Sequence, residues 1–233
     1  MSEGRFRAAA DSATGADRNI LLTQVARALG LQGKFDEAGE ILADLPAEPL
    51  ELAVRSVLEM GRVANSRGAK EAARTLFEEA FEAASAAGFE HLAVDALHMV
   101  AVVAPASEQE ALNRRALELA AGADDPRASD WRASLLNNLG WAIFERGDYE
   151  AALGAFEDAL VARIEQGKSG NIQVARWCVG RTLRALGRIE EAQAIQQALA
   201  AEHAAAGTSD PYVQEELTEL KSVFKIGSPQ SLE

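Results

Sequence analysis

The chain has 233 residues, 48% hydrophobic and 25% charged, which excludes wholesale disorder and makes a metal or disulfide staple unnecessary for folding. Its 48 alanines outweigh 27 β-branched residues (Val, Ile and Thr), so composition favours helices over strands. A net charge of −13 excludes a uniform nucleic-acid binder, which needs a positive field to replace phosphate counterions.

Residues 1–18 are rich in Ala, Ser, Gly and Asp and leave two readings open, a frayed helix or a disordered arm. Helical spacing of apolar residues then runs through residues 19–206, the expected repeat domain. Four segments inside it align without gaps: ARALGLQGKFDEAGEILADLP (26–46), GRVANSRGAKEAARTLFEEAF (61–81), GWAIFERGDYEAALGAFEDAL (140–160) and GRTLRALGRIEEAQAIQQALA (180–200). A fifth, weaker copy lies in 92–121 and has no glycine at its turn. Residues 121–130, AGADDPRASD, read as an internal loop. GTSDP (207–211) is a break, with Asp210 as N-cap and Pro211 at the first helical position. The stretch 207–233 then predicts a capping helix and tail, with apolar spacing at Val213, Leu217, Leu220 and Phe224. Its outer face is assigned Glu215, Glu216, Glu219 and Lys221.

Each full copy is a helix–turn–helix unit. In the clearest one, Leu135, Leu136, Leu139 and Ile143 form one apolar stripe, and Ala152, Phe156, Ala159 and Leu160 form the next. Gly147 marks the turn, where the chain needs a left-handed residue, and Asp148 is placed to cap the following helix. Gly140 and Ala152 are expected to face each other and let the two helices approach closely. One such hairpin cannot bury its apolar face alone, so the copies must stack.

Leu136, Leu139-Gly140, Ile143, Gly147-Asp148-Tyr149, Ala152, Phe156 and Ala159 together resemble the motif of the tetratricopeptide repeat family. The spacing between later copies, near 40 residues, is similar to the long units of kinesin light chain and of bacterial signalling proteins with helical repeats. The resemblance implies an all-α fold, a right-handed α-solenoid of about five helix–turn–helix repeats with a C-terminal capping helix. It also implies that the first helix of each pair lines a concave groove.

No phosphate-binding loop, nucleophile elbow or zinc-protease motif occurs, so no enzyme activity and no cofactor are expected. His91, Asp95 and His98 share one helical face at a spacing that could hold a divalent metal, but a packed histidine with a solvated carboxylate accounts for them better. Cys178 is read as a helix–helix contact and not as a nucleophile, which would need an activating base. One cysteine, no signal-type apolar core in the opening residues and no apolar run of about 20 residues predict a cytoplasmic protein without a membrane span.

The motif register of the resembled family implies groove positions, which here carry Arg27, Arg55, Arg62, Asn137, Trp141, Trp177, Arg181 and Arg184. Arg and Trp are the residue types enriched at binding hot spots. The family's carboxylate clamp for peptide C-termini is not expected: Asn138 fits its middle site, but Val174 and Cys178 stand where Lys and Arg are required. The resulting expectation is a non-catalytic module, monomer or homodimer, whose groove binds a peptide segment or helix of a partner protein with acidic and apolar character. A self-assembling repeat scaffold is the alternative, and a metal-binding helical protein stands third.

Overall fold

The computed structural model describes residues 2–167 and 169–227. These form thirteen helical segments and no strand. In chain order they are α1 (Ser2–Ser12), α2 (Gly15–Leu31), α3 (Phe35–Ala43), α4 (Leu50–Ser66), α5 (Lys70–Ala87), α6 (Glu90–Val103), α7 (Ala106–Ala121), α8 (Pro126–Ser129), α9 (Arg132–Glu145), α10 (Tyr149–Gln166), α11 (Ser169–Ala185), α12 (Ile189–Ala205) and α13 (Pro211–Gly227). The helices group into two compact units, one ending at Trp131 and one beginning at Arg132.

In the first unit the hairpins α2/α3, α4/α5 and α6/α7 follow one another, and α1 packs along α2. The opening residues are therefore helical over Ser2–Ser12, with Ala10 buried and Phe6 against the α2/α3 core of Val25, Leu29, Ala38 and Leu42. The next core joins α4, α5 and α6 through Leu58, Phe77, Ala80, Leu92 and Val100. The expected loop over 121–130 contains the single turn α8, which packs on α6 and α7; Asp125 caps it by accepting a hydrogen bond from Arg127 N at 2.9 Å.

In the second unit the hairpins are α9/α10 and α11/α12, and α13 lies over α12. Asp210 caps α13 as its sequence implies, accepting from the backbone N–H of Tyr212 at 2.9 Å and of Val213 at 3.2 Å. Val213 and Leu220 point inward from it. Glu216 does too, and is only 1% exposed, which corrects its assignment to the outer face. The side chain of Phe224 and residues 228–233 lie outside the described residues.

The turn inside each clear repeat is made by a glycine with positive φ; Gly147, at +88°, has its equivalents in Gly33, Gly68 and Gly187. A side chain there would be strained, whatever space surrounds it. Asp148 follows and accepts from Ala151 N at 3.3 Å, so turn and cap are adjacent as expected.

The close contact inside the pairs α4/α5, α9/α10 and α11/α12 differs from its sequence reading. Ala152 is fully buried, but the group seated over Gly140 is the ring of Phe156. A Cβ on Gly140 would lie 2.6 Å from Phe156 Cε1. Gly61 meets Phe77 in the same way at 2.5 Å, and Gly180 meets Gln196 Nε2 at 2.7 Å. These three pairs are thus closed by a large group laid on a bare backbone, not by two small residues.

Gly140→Ala should therefore destabilise by about 1–3 kcal/mol through overpacking. Gly154→Ala, an exposed position in α10 with nothing near its would-be Cβ, should stabilise by about 0.5–1 kcal/mol. Urea unfolding of the two variants checks the contrast in sign.

Candidate functional site

Two faces carry the residues singled out above, one in each unit. In the first, α4 presents Arg55, Glu59 and Arg62, α2 presents Arg27, and α6 presents His91 and Asp95. Arg62 lies between two carboxylates: its Nη1 donates to Glu59 Oε1 at 2.5 Å and its Nη2 donates to Asp95 Oδ1. Arg27 Nη1 approaches Glu59 Oε1 at 3.6 Å. Arg55 donates to Glu51 at 2.7 Å and lies 3.1 Å from His91 Nε2. Each arginine placed here by register is thus engaged by a group of its own unit.

Glu59 is only 4% exposed, and its Oε2 accepts no hydrogen bond among the described residues. Such an oxygen carries a desolvation cost of roughly 1–3 kcal/mol. Burial pushes the Glu59 carboxyl above its ordinary range, against the pull of Arg62 and Arg27.

The triad considered for metal binding is dispersed. His91 Nδ1 lies 3.1 Å from Asp125 Oδ2, Asp95 is held by Arg62, and His98 packs on Trp131 with ring centroids 5.0 Å apart. Among the described residues no group of three or more His, Cys, Asp or Glu could hold a metal ion. Burial depresses the His91 imidazole, helped by Arg127 and Arg55, and takes His98 down to about 4.

In the second unit the inward face is aromatic. Trp141 of α9, Trp177 of α11 and Tyr212 of α13 form a row, with successive centroids 6.1 and 6.0 Å apart. Phe144 and Phe156 close on Trp141 at 5.4 and 5.2 Å. The guanidinium of Arg181 sits 6.0, 5.9 and 5.5 Å from the rings of Trp141, Phe144 and Trp177. Beside it, the buried Glu216 accepts from Arg181 at 2.7 Å and from Arg184 at 2.7 and 3.0 Å.

Asn137 is half-buried and accepts from the Cys178 thiol at 3.5 Å. Burial pushes that thiol up to about 12, so it stays protonated. Next to Trp177 opens a cleft of about 410 Å³ between α11, α12 and α13. Val174, Trp177, Leu199, Tyr212 and Val213 wall it, with His203 and Asp210 also in its lining. Tyr212 is 63% and Val174 58% exposed.

Register reasoning singles out the arginines and tryptophans but not their acidic partners. A signal existed: Arg62 meets Asp95 33 residues on and Arg184 meets Glu216 32 residues on, so each pair joins the first helix of one repeat to the next helix in that layer. Tyr212 went unnoticed because the break at 207–211 separates it from the repeat.

Residues 132–165 match the sequence model of the tetratricopeptide repeat family. The fold of the chain is that of tetratricopeptide-repeat proteins. BtubC (BKLC) from P. vanneervenii is similar with a TM-score of 0.65 and 19% identity, over 90% of each chain. A kinesin light chain-type protein from Podosopora anserina with nearly identical TPR-like repeats gives 0.60 and 18%, over 79% of this chain and 94% of that one. The apo quorum sensor NprR from B. thuringiensis gives 0.66 and 12%, with 98% of this chain covering 65% of that one. No curated protein matches the chain. No helix among the described residues is long and apolar enough to cross a membrane.

Stability should reflect the neutral histidine. The unfolded chain binds a proton at His98 near pH 6.5, while the folded chain resists it until about pH 4. Stability is therefore fully present above pH 6.5 and falls as pH drops through that window. Between pH 7 and 4 the wild-type protein should lose roughly 3 kcal/mol more than His98→Gln, read by chemical denaturation at each pH.

Proposed function

We propose that this protein is a non-catalytic interaction module that holds a peptide segment of a partner protein against the aromatic face of its second unit. The observation that carries this reading is the cleft of about 410 Å³ beside Trp177, with apolar walls and strongly exposed Tyr212 and Val174 at its edge. Exposed aromatic and aliphatic groups around a concavity are the usual anchor point for a partner's buried side chain. Trp177 lines the cleft, Trp141 and Arg181 pack on Trp177 at 6.1 and 5.5 Å, Asn137 meets Cys178, which follows Trp177 in the chain, and Arg184 shares Glu216 with Arg181.

The arginines contribute less free charge than their number suggests. Arg181 and Arg184 share Glu216, and Arg27, Arg55 and Arg62 face Glu59, Glu51 and Asp95. An apolar anchor therefore dominates the interaction, and acidic residues on the partner add a salt-dependent supplement through the exposed parts of Arg181 and Arg184.

Panning a displayed peptide library against the full chain tests this. Enriched peptides should share an aromatic or large aliphatic residue. They should bind at least about tenfold more weakly to Val174→Asp and Tyr212→Ser, whose side chains are exposed enough to change without unfolding the protein. Equal binding to wild type and both variants, or no enrichment at all, would overturn the proposal.

A further inference from the structure

The first unit has a cavity that the peptide reading does not use. It has a volume of about 220 Å³, well below the size of a drug-sized ligand pocket, and is walled by Arg27, Arg55, Glu59, Asp95, Arg127 and Trp131. Its charges are separated. The carboxylates of Glu59 and Asp95 are buried at the floor, while the Arg27 and Arg127 side chains are 40% and 62% exposed.

Counting the partners that hold these groups, four guanidiniums (Arg27, Arg55, Arg62, Arg127) face four carboxylates (Glu51, Glu59, Asp95, Asp125), with His91 neutral. A site of zero net charge with separated poles has no preference for a simple anion or a simple cation. It favours a neutral ligand with its own poles: N–H donors for the floor and acceptor oxygens for the rim.

One atom makes the demand specific. Glu59 Oε2 is buried, lies in a residue lining this cavity, and accepts nothing among the described residues. Arg62 takes the other oxygen, so a donor from a ligand is what the carboxylate lacks. Arg27, only 3.6 Å from Glu59 and well exposed, can swing to meet a ligand oxygen as the donor enters. Trp131 supplies a flat apolar wall beside the poles.

We propose that this cavity binds a free α-amino acid as its zwitterion, with the ammonium donating to Glu59 and Asp95 and the carboxylate accepting from Arg27 and Arg127. The site is independent of the aromatic cleft and lies within the other unit.

The test is binding of the twenty free amino acids to the full chain at millimolar concentration, by thermal shift and then calorimetry. At least one should raise the melting temperature. Its N-acetyl form, an anion, and its amide, a cation, should each bind at least about tenfold more weakly, since each lacks one pole. Glu59→Gln and Arg27→Gln should each weaken binding by a similar factor, while Arg114→Gln on exposed α7 should leave it unchanged. Should Glu59→Gln fail to fold, Arg27→Gln on the rim and the blocked ligands still decide the matter. No shift with any amino acid would overturn the proposal. So would a blocked form that binds as tightly as the zwitterion, or binding only by dipeptides and longer chains.

Discussion

A bare stretch of backbone under an aromatic ring is the constraint on which the rest of this structure depends. At Gly61 and Gly140 the neighbouring helix lays a phenylalanine ring where a Cβ would have to stand, less than 3 Å away. The two helices of a pair therefore pack at backbone distance, and the ring gains full burial in exchange for the missing side chain. That contact fixes the rotation of α4 and of α9 about their own axes. With the glycine turned to its partner helix, the residues just after it, Arg62 and Trp141, must turn to the open face. In the last pair Gln196 replaces the ring, and its Nε2 donates to Trp177 O at 3.4 Å, so a polar group serves the same close approach.

Once the open faces are set, charge settles how they are used. An overall charge of −13 leaves carboxylates in excess; Asp95 and Glu216 are carried into the interior by the next helix in the layer of Arg62 and Arg184, and Glu59 is buried beside Arg62 on α4 itself. A carboxylate that is buried without a partner is costly, and a well-placed guanidinium offsets much of that cost without guaranteeing a net gain. The gain is in register: an arginine that must meet a carboxylate on the next helix admits few alternative stackings. Arg62, Arg181 and Arg184 are thus committed first to the fold, and the surfaces left for ligands are an aromatic cleft and a neutral cavity with separated poles, where Arg27 and Arg127 stay exposed.

The architecture was largely legible because its signals are local. Gly147 with Asp148, the apolar stripes of Leu135–Ile143, and Asp210 before Pro211 each act within one turn of chain, and each does in the structure what its chemistry implies. The partner of Gly140 was misread because two small residues, Gly140 and Ala152, suggest mutual contact. The ring of Phe156 wins the space because a large apolar group placed there buries far more area than a methyl group. The site was legible only by half. Register assigns a face to each side chain of a first helix, but does not show that Glu216, in a helix read as a polar cap, reaches two arginines of α11. Burial of a carboxylate is decided by its neighbours in space, which a single helix pattern does not contain.

The central claim, that Arg62, Arg181 and Arg184 are held first by buried carboxylates of the fold and offer a ligand only their exposed remainder, is tested most directly by a double-mutant cycle on Arg184 and Glu216. Unfolding free energies of Arg184→Met, Glu216→Gln and the double variant give the coupling between the two side chains. The two hydrogen bonds at 2.7 and 3.0 Å to a buried carboxylate predict a coupling of about 1–3 kcal/mol. Effects that add to within about 0.5 kcal/mol would contradict it and return Arg184 to the pool of groups free to bind a partner.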